Sequence, residues 1–315
     1  MYGRNDIRAS LASAQGAGPK KPIITPFKSS SYGIWDKEPP QQTSPGVKSW
    51  MIRGQTLVTE YSLLEKGGVL SRANNVDEYA IIVPDAGTKL RVEWKDEVKE
   101  IDGPSFICIP AGASTVTCLE PGQVMRCIST QNKDMTALCP NEAHYATPDP
   151  NVAEWKAWPD PVGGWHIRAY DGAAPIVPGR FGRLYRCTTV MVNFGDMRNN
   201  GPRDRGNMSP YHHDDFEQYS VCWAGAFTHH LRYPWTSDGH SWLPDEHVLC
   251  PAPSVGVIPP PATHTSSAEA PVQNRLMDVF GPPRWDFSVK EGWVMNAADY
   301  PMPEEVAKMA EAVPA

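Results

Sequence analysis

The chain repeats itself, and a repeat of this length constrains the fold more than any composition figure does. Phe106-Ile-Cys-Ile-Pro-Ala-Gly-Ala-Ser-Thr115 aligns without gaps to Val255-Gly-Val-Ile-Pro-Pro-Pro-Ala-Thr-His264, pairing Pro110 with Pro259 and Thr115 with His264. Upstream, Arg72-Ala-Asn-Asn-Val-Asp-Glu78-Tyr79 aligns to His212-His-Asp-Asp-Phe-Glu-Gln218-Tyr219. The spacing is 37 residues from Glu78 to Thr115 and 46 from Gln218 to His264, so an insertion of nine falls in the second copy, around Pro234–Pro244. One duplicated unit accounts for this pattern, and it predicts two similar domains with separate cores.

The unit is built of strands. Short β-branched and aromatic runs, Thr56–Tyr61, Tyr79–Val83, Leu90–Trp94 and Ser105–Pro110, recur at the spacing of an all-β sandwich or barrel. A second series starts at Arg186–Phe194 and continues to about Phe287. The 32 prolines and 25 glycines are spread between these runs as turn punctuation. Only Glu304–Glu311 has helical spacing, through Val306, Met309 and Ala310. The expected organisation is an arm over 1–45, a first domain over 46–140, a linker over 141–185, a second domain over 186–300 and a short helix within 301–315.

Charge and cysteine usage exclude several classes. A net charge of −7 without a basic stripe gives no surface for nucleic acid or anionic lipid. Seven cysteines, an odd number without a C-x-x-C pair, argue against a disulfide framework and fit a reducing compartment. No signal-peptide core lies in Met1–Lys21 and no run of 18 apolar residues occurs, so the expected location is the cytoplasm. Phosphate-loop and G-x-S-x-G patterns are missing as well.

The chemistry concentrates in the second copy. On a strand, alternate side chains share a face, so two exclusive sets are on offer: His212, Asp214 and Gln218, or Tyr211, His213 and Glu217. The first is favoured because Gly225 is in phase with Gln218 and because Tyr211 is a poor ligand, although a β-bulge would reverse the choice. His264 lies in the matching distant motif. These residues resemble the cupin superfamily, in its two-domain, germin-like form: His212, Asp214, Gln218 and Gly225 fall at the offsets of its first motif. Pro259-Pro-Pro-Ala-Thr-His264 has the proline-to-histidine spacing of its second. The sequence departs from the family where Asp214 replaces a second His, Gln218 a Glu, and Pro261 a Gly.

The resemblance implies two tandem jelly-roll barrels, commonly as a homodimer, with one divalent metal in the second. Two imidazoles and a carboxylate favour Fe(II), with Mn, Ni or Zn also accepted. In the first copy the equivalent positions hold Arg72, Asn74, Glu78 and Thr115, so that barrel is expected to be a metal-less scaffold. Around the site, Glu217, Tyr219, His229 and His230 are candidate proton carriers. Arg203, Arg205, Tyr233, Trp235 and Trp242 are candidate contacts to a small-molecule substrate. The activity expected first is a mononuclear non-haem dioxygenase on a small hydroxylated or carboxylated aromatic or enolic compound. A redox-neutral isomerase, epimerase or lyase on a sugar acid comes second, and a non-catalytic binding protein third.

Overall fold

The computed structural model of the chain describes residues 22–180, 182–194 and 198–311. The first 21 residues of the expected arm and the side chains of Met309 and Ala310 lie outside it. In chain order the strands are β1 (Ser31–Ile34), β2 (Gln42–Ser44), β3 (Val47–Arg53), β4 (Leu57–Leu64), β5 (Val69–Asn75) and β6 (Tyr79–Val83). They continue as β7 (Lys89–Trp94), β8 (Glu97–Asp102), β9 (Ser105–Ile109), β10 (Gly112–Glu120) and β11 (Gly122–Ser129), before a helical turn, α1 (Lys133–Thr136). After it come β12 (Arg168–Asp171), β13 (Leu184–Arg186), β14 (Met191–Asn193), β15 (Arg198–Asn200), β16 (Glu217–Ala224) and β17 (Ala226–Arg232). The chain closes with β18 (Glu246–Pro251), β19 (Ser254–Ile258), β20 (Thr263–Ala268), β21 (Gln273–Gly281), α2 (Trp285–Ser288) and α3 (Glu304–Glu311).

Each half is an antiparallel barrel of two sheets. The first combines β12-β9-β6-β11-β4-β3-β2 with β5-β10-β7-β8, the second β1-β19-β16-β21-β14-β13 with β18-β17-β20. Pairings repeat with the duplication: β6–β9, β6–β11 and β7–β10 recur as β16–β19, β16–β21 and β17–β20. The all-β tandem architecture with a short terminal helix is therefore the one the repeat predicts. The run Arg186–Phe194, expected as one strand, is a hairpin instead, because Cys187 N bonds to Val190 O and closes a turn between β13 and β14.

The larger sheets of the two barrels pack face to face. Leu57, Tyr61, Ile82 and Phe106 of the first and Tyr219, Trp223, Val257 and Val279 of the second share one buried cluster. Opposite faces of the same strands fill the barrels: Tyr79, Ile81 and Val83 point into the first, whereas Ala80 and Ile82 point to the partner sheet. Burial on both faces explains why these strands read as continuous apolar runs in place of alternation. Edge strands are exchanged as well. β1, from the arm, pairs with β19 of the second barrel, while β12, from the segment before that barrel, pairs with β9 of the first.

Two buried carboxylates lock this interface in related ways. Glu217 accepts hydrogen bonds from Gln55 N at 2.8 Å, Thr56 N at 3.0 Å, Thr56 Oγ1 at 3.0 Å and Tyr219 Oη at 3.0 Å. Glu78 accepts from Thr188 N and Oγ1, both at 2.9 Å, and from Tyr300 Oη at 2.7 Å. Each glutamate thus caps a tight turn of the opposite barrel, satisfying donors that burial would otherwise leave orphaned. Glu78 is therefore the structural counterpart of Glu217, and the gapless pairing of Glu78 with Gln218 is off by one residue.

Candidate metal centre

Strand β16 begins only at Glu217, and residues 212–216 are irregular. Alternation counted from the start of the motif therefore does not carry across to Gln218. Tyr211 is pinned to His264 by an isolated bridge, Tyr211 N to His264 O at 3.0 Å and His264 N to Tyr211 O at 2.7 Å. From that anchor the chain turns His213 inward and His212 outward. His212 and Asp214 face solvent, their side chains 48% and 42% exposed and 3.5 Å apart. The set His212, Asp214, Gln218 is corrected accordingly: the groups that meet are Tyr211, His213, Gln218 and His264, drawn from both of the parity sets.

Hydrogen-bond accounting fixes how these groups present themselves. Gln218 Nε2 donates to Ser220 Oγ at 2.9 Å and to Asp278 Oδ1 at 3.1 Å, and Ser220 Oγ donates to Asp278 Oδ1 at 2.9 Å. Since a carboxylate only accepts, the amide nitrogen must face Asp278 and the carbonyl must face the histidines. Onto that carbonyl, Oε1, come Tyr211 Oη at 3.0 Å and His213 Nε2 at 2.9 Å. His213 is then the Nε2–H tautomer, and its Nδ1 lone pair is buried without a partner. His264 donates through Nδ1 to Ala262 O at 2.8 Å, so its Nε2 is a second buried lone pair without a partner.

Those two orphaned nitrogens are what a metal ion would satisfy. The rings of His213 and His264 are 5.1 Å apart between centroids, a separation that one ion at ~2.1 Å from a nitrogen of each can span. Burial holds both imidazoles neutral: His264 is pushed down to about 3, and His213 well below the ordinary histidine range, with Arg284 adding to the effect. Neutral imidazole is the ligating form, so the pair is ready without losing a proton. The expected carboxylate is missing, however. Among the described residues no group of three or more His, Cys, Asp or Glu side chains comes together. The donor set left open is a pair of neutral imidazole nitrogens, since Gln218 Oε1 is taken by Tyr211 and by the opposite nitrogen of His213. It fits a borderline divalent ion and does not reproduce the two-His, one-carboxylate triad that favoured Fe(II).

The remaining candidates sort by sheet face. Tyr219 and Glu217 point to the barrel interface and are remote from this cavity, because they alternate with Gln218 on β16. His229 points inward, its Nδ1 at 2.7 Å from Ser266 Oγ and its Nε2 without a partner. His230 points outward, to His247. Arg203 binds Asn207 O and Ser266 O, and Arg205 pairs with Glu269, so both serve their own loop and the outer surface. Tyr233 is core, bonded to Ser30 N and Glu246. Trp235 and Trp242 stack on each other at 4.6 Å beside a surface recess of about 820 Å³ that none of Tyr211, His213, Gln218 and His264 lines. Sequence reasoning missed the wall of the cavity. Phe216, 4.3 Å from His213, and Phe280, 5.8 Å away, box the imidazole, and Arg284 lies over both phenyl rings. The apolar phase of Phe216 with Phe280 and Phe287 is visible in sequence only once the register of β21 is known.

The first barrel shows what the same positions look like without ligands. Tyr79 and Ser114 occupy the places of Gln218 and His264 and bond to each other at 2.9 Å. Arg72 is buried there too, held by Asn75, Asn132 and Asp134. Thr115 is the outward neighbour of Ser114, so the pairing of Thr115 with His264 is displaced by one as well.

No family model and no curated protein matches this sequence. Solved structures do. The chain is similar to AerE from Microcystis aeruginosa at 8% identity and a TM-score of 0.50, covering 76% of this chain and 94% of that one. It is also similar to oxalate decarboxylase from Lactobacillus farciminis in a formate complex, at 12% identity and a TM-score of 0.48, covering 94% and 98%. Vicilin from Capsicum annuum follows at 13% and 0.46, covering 72% and 76%. Likeness at these identities is one of fold. What the tandem barrels, their exchanged edge strands and the likeness to AerE establish is an all-β fold of two tandem jelly-roll barrels.

Proposed function

We propose that the second barrel holds one divalent transition-metal ion between Nδ1 of His213 and Nε2 of His264, with Gln218 Oε1 fixing His213 from the other side of its ring. On this reading the chain is a metal-dependent enzyme of a small anionic compound. The observation that carries it is the pair of buried, partnerless imidazole lone pairs on rings 5.1 Å apart. When bound, such an ion supplies Lewis-acid polarisation of a substrate carbonyl or carboxylate. Ser220 and Asp278 hold the Gln218 amide so that its carbonyl cannot turn away. Phe216 and Phe280 keep water from His213, and His229 offers one further neutral imidazole inside the barrel.

Charge selects the substrate class. Uncharged donors leave the charge of the ion uncompensated among buried side chains, a costly arrangement unless an anion joins it. A carboxylate, enolate or catecholate that chelates through oxygen meets that need, in keeping with a hydroxylated or carboxylated aromatic, an enolic compound or a sugar acid. Because Asp214 is outside, the ligand argument for an Fe(II) dioxygenase weakens, and redox-neutral isomerisation, epimerisation or lysis is the reading the donor set favours. Turnover of phenolic and sugar acids with and without oxygen separates the two: a rate unchanged under anaerobic conditions supports the redox-neutral reading.

The site itself is tested by elemental analysis of the purified protein. His264→Ala and His213→Ala should each lose the metal while retaining their far-ultraviolet circular dichroism. His212→Ala, Asp214→Ala and Ser114→Ala should keep it. Undiminished metal in His264→Ala, or its loss in Asp214→Ala, contradicts the assignment.

A further inference from the structure

The outer face of the β18-β17-β20 sheet carries a second imidazole pair, on the side of β17 opposite His229. His230 and His247 stand directly across from each other in the β17–β18 register. Their ring centroids are 4.9 Å apart, and their Nδ1 atoms only 2.8 Å. Protons can be placed on this group by counting. Ser267 Oγ donates its single hydrogen to Glu269 Oε1 at 2.6 Å, and Glu269 is clamped by Arg205 at 2.8 and 3.0 Å. The same hydroxyl lies 3.0 Å from His230 Nε2, where its oxygen can only accept. Nε2 of His230 therefore carries the ring hydrogen, and its Nδ1 is a lone pair aimed at His247 Nδ1.

This is the tautomer and the support that a ligating histidine requires: one nitrogen donates toward an anchored carboxylate, here relayed by a hydroxyl, and the other is free to bind. Burial, His247 and Arg205 together hold the His230 imidazole below its ordinary range, so it is neutral at physiological pH. Two nitrogens ~2.1 Å from one ion at about a right angle lie roughly 3 Å apart, so the observed spacing needs little opening. His247 is exposed, which leaves the remaining coordination positions to water.

We propose that His230 and His247 form a surface site for one divalent ion of the nickel, copper and zinc group, each ligating through Nδ1. When the ion binds, the ring hydrogen of His247 moves from Nδ1 to Nε2 through solvent, so both ligands are neutral imidazoles and charge and atoms balance with no redox step. Imidazole nitrogen suits these metals in preference to magnesium or calcium. The site is independent of the barrel centre, since β17 separates the two.

Calorimetric titration of metal-stripped full-length protein with zinc chloride and with nickel chloride tests this. The wild type should show a transition that His247→Ala weakens at least ten-fold and that His264→Ala leaves in place. Ser267→Ala, which removes the relay behind His230 and leaves both Nδ1 atoms in place, should weaken the transition several-fold. Equal affinity and stoichiometry in wild type and His247→Ala would overturn the proposal, as would a wild type whose every transition is lost in His264→Ala. Failure of the barrel site appears separately, as identical titrations of wild type and His264→Ala.

Discussion

His229 shows how one buried side chain ties stability to pH. Gly256 on the facing sheet leaves room for its ring, Tyr32 stacks against it, and Ser266 bonds to Nδ1. Burial lowers this imidazole from 6.5 to about 4, with His230 adding to the effect. The folded state therefore refuses a proton that the unfolded chain accepts, so stability is intact above pH ~6.5 and is lost as pH falls toward 4. At ~1.4 kcal/mol per unit the loss is a few kcal/mol. Glu78 and Glu217, whose carboxyls burial pushes up, act in the opposite direction, so the informative comparison is between variants. His229→Phe should flatten the decline in urea midpoint between pH 6.5 and 4, and an unchanged slope would refute the assignment. At this scale the sequence was partly legible. His264 and Gln218 could be picked from motif spacing, but the choice of His213 over His212 could not, because it depends on where β16 starts.

Strand ends decide the element scale. Gly225 ends β16 at φ +73, and an added Cβ would sit 2.4 Å from Asn274 Oδ1, which accepts from Ala226 N and Ala270 N. Both the backbone and the space demand glycine, as the motif spacing suggested. Gly225→Ala should cost about 1–3 kcal/mol in chemical denaturation, from positive φ and a broken turn. Glu217 belongs to this scale also. Glu217→Ala strips partners from the turn between β3 and β4 and should cost about 2–4 kcal/mol while leaving metal content unchanged. Metal loss in that variant would revive Glu217 as a ligand. Its role escaped sequence reading because the groups it binds, Gln55 and Thr56, lie some 160 positions away, at |i−j| of 162 and 161.

Across the whole molecule, the exchanged strands make the barrels depend on each other. Without β1, β19 would become an open edge beside Val255 and Val257, and the Trp35–Tyr61 stack at 5.9 Å would be lost. A chain lacking residues 1–35 should therefore melt about 5 °C or more below the intact one and self-associate through the bared edge, as light scattering would show. Apolar periodicity and proline punctuation were enough to determine from sequence that the chain is two copies of one antiparallel β unit. Those signals are local, and backbone pairing follows from them. The sequence also determined which copy carries imidazoles. Tertiary structure alone decided which imidazoles meet, because a five-residue irregular stretch resets side-chain direction and the bridge from Tyr211 to His264 fixes it. It alone decided that Asp214 stays in water and that Glu217 faces the other barrel, since sheet-face assignment is set by register between distant strands.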